Sequence, residues 1–156
     1  MKQSMTMKPS TAKALLAPAL AGLAAIVAVS LSSPALAAVV NLKASLSPAS
    51  EVPPTTSTGK GSVTATFDTD SKMLTYKGTY SDLTGPATAA HFHIGETGKN
   101  GGVAVPIFAG DKAGSPFEGK ATLTDAQAAD LLAGKMYVNV HTAANKGGEI
   151  RGQVTK

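Results

Sequence analysis

Ser62–Tyr80 reads SVTATFDTDSKMLTYKGTY, and its alternation decides the fold. In the first half Val63, Ala65 and Phe67 fall on one side, with Ser62, Thr64 and Thr66 on the other; in the second half Leu74, Tyr76, Gly78 and Tyr80 share a side. A period of two separates the faces of a pleated strand, one for a core and one for solvent. Between the halves Thr69–Lys72 (TDSK) supplies turn chemistry, so the two runs predict a β-hairpin.

The same pattern extends outward. Upstream, VVNLKASLS sets Val40, Leu42, Ala44 and Leu46 against Asn41, Lys43 and Ser45. Downstream, strands are expected at Ala89–Ile94, Val103–Phe108, roughly Phe117–Leu123, Met136–Thr142 and Glu149–Val154. One helix stands out in LTDAQAADLLAG: Thr124 caps with Gln127 as its return partner, Asp125 suits the positive end, and Gly134 stops it. The expected class is all-β, an antiparallel β-sandwich or barrel of about eight short strands with one short helix. Pro53 and Pro54 prevent regular ladder pairing, so their segment is expected to cross an edge or a barrel end.

The first residues read as an address. Lys2, Lys8 and Lys13 precede the apolar run Ala14–Leu31, and Ala35 and Ala37 supply the small-residue exit that signal peptidase accepts. Residues 1–37 are therefore expected to be a secretory signal peptide, leaving a domain at 38–156 with no membrane span after cleavage. Pro18, Gly22 and the many alanines argue against a retained transmembrane helix. The expected location is the periplasm or outside the cell.

Charge and cysteine then exclude several classes. The chain has 14 basic and 10 acidic residues; three of the lysines lie in the leader, so the remainder carries 11 against 10. That balance, without a basic run, gives no support for nucleic-acid binding, which needs several phosphates neutralised together. The absence of cysteine removes disulfides, thiolate chemistry and cysteine-containing metal sites. No serine sits in a nucleophile elbow and no acid pair suits glycoside chemistry, so those hydrolase readings have no support; an enzyme stands behind the binding classes, as a three-histidine metal site could activate water but no substrate pocket or general base is identified.

The chain's three histidines carry the functional reading. In AHFHIG, burying Phe92 and Ile94 sends His91 and His93 to the other face; in MYVNVHT, burying Met136, Val138 and Val140 sends Tyr137, Asn139 and His141 outward. If those strands are neighbours, three imidazoles converge. Three such donors with an open fourth position suit copper(II) or zinc, whereas magnesium and calcium favour oxygen ligands. The expected metal ligands are His91, His93 and His141, with Glu149 or water completing the shell; Glu96 is a further oxygen donor nearby in sequence.

Two further segments bear on this face. In GGEIRGQV, Glu149, Arg151 and Gln153 are expected opposite Ile150, Gly152 and Val154, with Glu149 and Arg151 as an ion pair or part of an orienting network. Arg151 is the chain's single arginine. ETGKNGG, Glu96–Gly102, reads as a turn.

Five segments in order, LSPASEVPP, AAHFHIG, KNGGVAVPI, LLAGKMYVNVHT and GGEIRGQV, give the chain a resemblance to the CHRD domain, the module named after chordin and found singly in exported bacterial proteins. The resemblance implies an all-β domain of immunoglobulin size outside the cytoplasm, and it brings no catalytic set. The HFH strand also looks like the metal-binding strand of copper-zinc superoxide dismutase, but the disulfide cysteines and additional histidines of that two-metal site are missing. Two classes remain: a metal-binding module, or an envelope or extracellular protein-interaction or structural module without metal. In the second, the histidines bond to Asn139, Tyr137 or backbone and the loops meet a protein partner. The sequence does not set the oligomeric state.

Overall fold

The structure, a computed structural model, describes residues 38–110 and 113–156; the expected signal peptide lies outside the described residues. Eight strands form: β1 Val39–Leu46, β2 Lys60–Asp68, β3 Met73–Ser81, β4 Ala87–Ile94, β5 Val103–Ala109, β6 Phe117–Thr122, β7 Met136–Thr142 and β8 Ile150–Gln153. They build two four-stranded antiparallel sheets, ordered β1-β2-β3-β6 and β5-β4-β7-β8. The architecture is a sandwich, which settles the choice between sandwich and barrel. Among the described residues no helix is long and apolar enough to cross a membrane.

The hairpin forms as its sequence requires. Phe67 pairs with Leu74 and Ala65 with Tyr76, so both apolar sets face one way. At the turn the Asp68 carboxylate accepts from the Asp70 and Ser71 amides at 3.1 and 2.8 Å, and Lys72 takes a positive φ of 56°. Leu42, Val63, Phe67, Leu74 and Tyr76 of the first sheet pack on Phe92, Val105, Met136, Val138 and Val140 of the second. Tyr76 meets Phe92 edge-on, centroids 5.1 Å apart. Full burial of an aliphatic or phenyl side chain stabilises by ~1.5–3 kcal/mol, so this interface is the main source of stability in a chain without disulfides.

The helix α1, Asp125–Leu132, has the expected capping box: Thr124 Oγ1 accepts from the Gln127 amide, and Gln127 Oε1 accepts from the Thr124 amide. It buries Ala128 and Leu131, and Gly134 leaves it at a positive φ of 70°.

One edge of the sandwich is laced. Lys43 exchanges backbone hydrogen bonds with Thr155, and Ser47 with Arg151, joining β1 to β8 and the residues after it. The chain after β1 therefore leaves against β8. From there the Pro53–Pro54 segment runs along the second sheet's edge, where Thr55 Oγ1 donates to the Glu149 carbonyl.

The second sheet's outer face departs from simple alternation. Every residue of β7 except His141 is buried, including the outward-facing Tyr137 and Asn139. Segments around Glu51, Glu96–Gly101 and Lys146–Gly148 fold over that face, which is the setting of the histidines.

Candidate metal centre

The central pairing of the second sheet brings the histidines together. In the β4–β7 register His93 lies opposite Tyr137, His91 opposite Asn139, and Ala89 opposite His141. His141 is thus the diagonal neighbour of His91, within reach of a ring. One ligand nitrogen from each of His91, His93 and His141 lies within 4.8 Å of the other two. Ring centroids are 5.0 Å apart for His91–His141, 5.4 Å for His91–His93 and 6.2 Å for His93–His141. His93 is buried; His91 and His141 are half-buried.

Hydrogen bonds to backbone fix two tautomers. His93 Nδ1 lies 3.0 Å from the Gly101 carbonyl and His141 Nδ1 lies 3.0 Å from that of Lys146. A carbonyl only accepts, so both Nδ1 atoms carry the proton and both Nε2 atoms present lone pairs. His91 Nδ1 stands 3.1 Å from His141 Nε2 and donates to it. His93 Nε2 is buried with no hydrogen-bond partner. An orphaned buried nitrogen on a ring close to two other imidazoles is an arrangement a metal ion can satisfy.

Electrostatics keep the rings ready as ligands. Burial, followed by the neighbouring His141 and His93, pushes His91 down from 6.5 to about 4. Burial likewise lowers His141, against the raising effect of its bond to Lys146. A neutral imidazole is the ligating form.

Tyr137 and Arg151 orient the site from behind. Tyr137 stacks on His93, centroids 4.9 Å apart and planes 7° from parallel, while Arg151 Cζ sits 3.4 Å from the Tyr137 ring centroid. Because β7 lies between β4 and β8, the phenol is clasped between imidazole and guanidinium. Arg151 also donates to Asn100 Oδ1 and to the carbonyls of Glu96 and Lys99. Glu96–Gly102, read from sequence as a turn, is thereby pinned as a wall of the site. Gly101 must be glycine there, since a Cβ would collide with the Ile94 carbonyl.

Glu149 is not brought into the histidine group. β8 begins at Ile150, so the alternation that set Glu149 beside Arg151 stops one residue short. Its fully buried carboxylate instead accepts from Ser57 Oγ at 2.5 Å, the Thr84 amide and hydroxyl at 2.7 Å each, Thr142 Oγ1 at 2.6 Å and Asn145 Nδ2 at 3.0 Å. Burial pushes this carboxyl up, but the bonds from Ser57, Thr142 and Thr84 outweigh it and hold it at about 2. Glu149 and Arg151 form no ion pair; each belongs to its own network. Glu96 is exposed and paired with Lys99 at 2.9 Å.

Sequence reasoning passed over Glu51, a buried acid on this face. A Cβ at Gly148 would strike both Glu51 Oε1 and Asn139 Nδ2, which places the acid against Asn139. Burial raises its carboxyl to about 7, against the lowering charge of Arg151 and a bond from Val52. Its only signal in sequence was its place ahead of two prolines.

A concavity of about 940 Å³ lies on the other sheet, bordered by Lys43, Thr64, Thr75, Lys77 and Lys120, and contains none of the histidines.

These features define a two-sheet β-sandwich with a three-histidine cluster walled by loops on one outer face. The chain belongs to the CHRD domain family, whose model matches residues 42–154. No curated protein and no solved structure matches it.

Proposed function

We propose that this CHRD domain is an exported module that binds one copper(II) or zinc ion through His91, His93 and His141. The observation that carries the reading is the convergence of one ligand nitrogen from each of three histidines within 4.8 Å, with His93 Nε2 buried and unpartnered. The donor set is all imidazole, which suits these borderline ions better than magnesium or calcium. His93 and His141 coordinate through Nε2; His91 joins through Nδ1 once its proton moves to Nε2. With Glu149 held by five donors, water or an added ligand completes the shell. Export rests on the leader-like residues 1–37.

Calorimetric titration of the tag-free domain with copper(II) and with zinc tests this. One equivalent of one metal is expected to bind at neutral pH, with large losses of affinity in His91→Ala, His93→Ala and His141→Ala and release in acid. Weak binding that is equal across all four proteins would instead support an interaction module in which the rings only bond one another.

A further inference from the structure

Three buried side-chain polar atoms lack a hydrogen-bond partner among the described residues: His93 Nε2, Glu51 Oε1 and Asn139 Oδ1. Native interiors leave few such atoms, and each calls for a ligand or a water. Here the three side chains are linked through Asn139 on the outer side of the second sheet. Asn139 pairs in register with His91 on one side and with Arg151 on the other, so its side chain stands beside the histidine cluster. Glu51 lies against Asn139, both packed on Gly148.

The identity of the orphans states what they lack. Asn139 donates one amide hydrogen to the Gly147 carbonyl, Nδ2 to O 3.3 Å, and its Oδ1 is left as an unfilled acceptor. Glu51 Oε1 is a carboxylate oxygen and also accepts when ionised. Two unfilled acceptors beside a cluster of metal-ligating nitrogens call for a hydrogen-bond donor placed between them and the ion.

We infer that Glu51 and Asn139 form an acceptor wall facing the metal's open coordination position, selecting a hydrogen-bond-donating ligand of the water class and disfavouring anions. The inference rests on the metal-binding reading above. In it His91, His93 and His141 hold the ion, while Glu51 and Asn139 act only on the ligand opposite them. Glu51 is thus a positioning residue whose negative charge works against any anion entering the site.

Azide is the probe, because it takes an open metal position, carries negative charge and donates no hydrogen bond. The wild-type domain is loaded with copper(II), or with cobalt(II) if the first titration identifies zinc, and azide binding is followed through the metal's visible absorption at pH 8, where Glu51 is mostly ionised. Glu51→Gln, which swaps charge for an amide donor, is expected to bind azide about tenfold more tightly, with metal affinity within about threefold of wild type. Asn139→Asp, which adds charge to the wall, is expected to bind azide about tenfold more weakly and covers the case in which Glu51→Gln fails to fold. Equal azide affinity in wild type and the folded variants, with metal binding intact, overturns the wall alone. Loss of the metal in Glu51→Gln makes Glu51 a ligand and also overturns it. A wild-type domain that takes up no metal overturns both readings.

Discussion

Replacing Glu149 by glutamine separates a structural carboxylate from a ligand. The side chain keeps its shape and loses its charge amid five donors, two of which, the Thr84 amide and Asn145 Nδ2, cannot turn round to accept. Its carboxyl is held at about 2 against an ordinary 4.5, a preference for the ionised form of about 3 kcal/mol at neutral pH. Counting bonds agrees: turning several charge-assisted hydrogen bonds into neutral ones and orphaning a donor costs about 2–4 kcal/mol. The expected loss is therefore ~3 kcal/mol, or a fall in Tm of about 12 °C at ~4 °C per kcal/mol for a domain of this size. Because the folded carboxyl lies below the unfolded one, its stabilisation is fully present above about pH 4.5 and is lost as pH falls toward about 2. Urea denaturation of wild type and Glu149→Gln across that range should show the gap closing in acid, with metal affinity at neutral pH unchanged in the variant. A gap under about 1 kcal/mol at pH 7, or one that ignores pH, would refute the account of this network.

Three other outcomes are expected. Arg151→Lys gives up the planar stack on Tyr137 and cannot meet Asn100, Glu96 and Lys99 together; a loss of about 2–3 kcal/mol in chemical denaturation, with copper(II) or zinc affinity reduced about tenfold, is expected. Gly148→Ala places a Cβ against Glu51 and Asn139 at a φ of 134°, and should cost about 2–3 kcal/mol in the same assay. In metal-free protein the neutral form of His91 is favoured by the fold, so the contribution of this ring to stability is full above about pH 6.5 and declines toward about pH 4. After discounting for solvent screening at a half-buried ring, that decline is ~1–2 kcal/mol, and thermal melts of His91→Gln should lack it.

Much of the site was legible before folding because strand alternation is a local rule. Phe92 between His91 and His93, and Val140 beside His141, already assigned all three rings to outward faces, and the structure keeps them there. Glu149 was misplaced because the same rule was carried one residue past the start of β8. Arg151 was noticed for its scarcity, but its partners Tyr137 and Asn100 are 14 and 51 positions away, and no local pattern connects them. Glu51 carried no warning of burial, since a lone acid before two prolines lies outside any alternating run, in a segment expected only to cross an edge or a barrel end.

Sequence alone therefore determined the strands, the capped helix and the face each histidine presents, because hydrophobic period and capping act between residues a few positions apart. Tertiary structure decided that β4 and β7 are neighbours, that three loops cover the second sheet's outer face, that Asn139 stands beside His91 and that Glu51 packs near Asn139 and Gly148. Those contacts join segments distant along the chain, and their geometry is fixed only when the two sheets bury their apolar faces against each other.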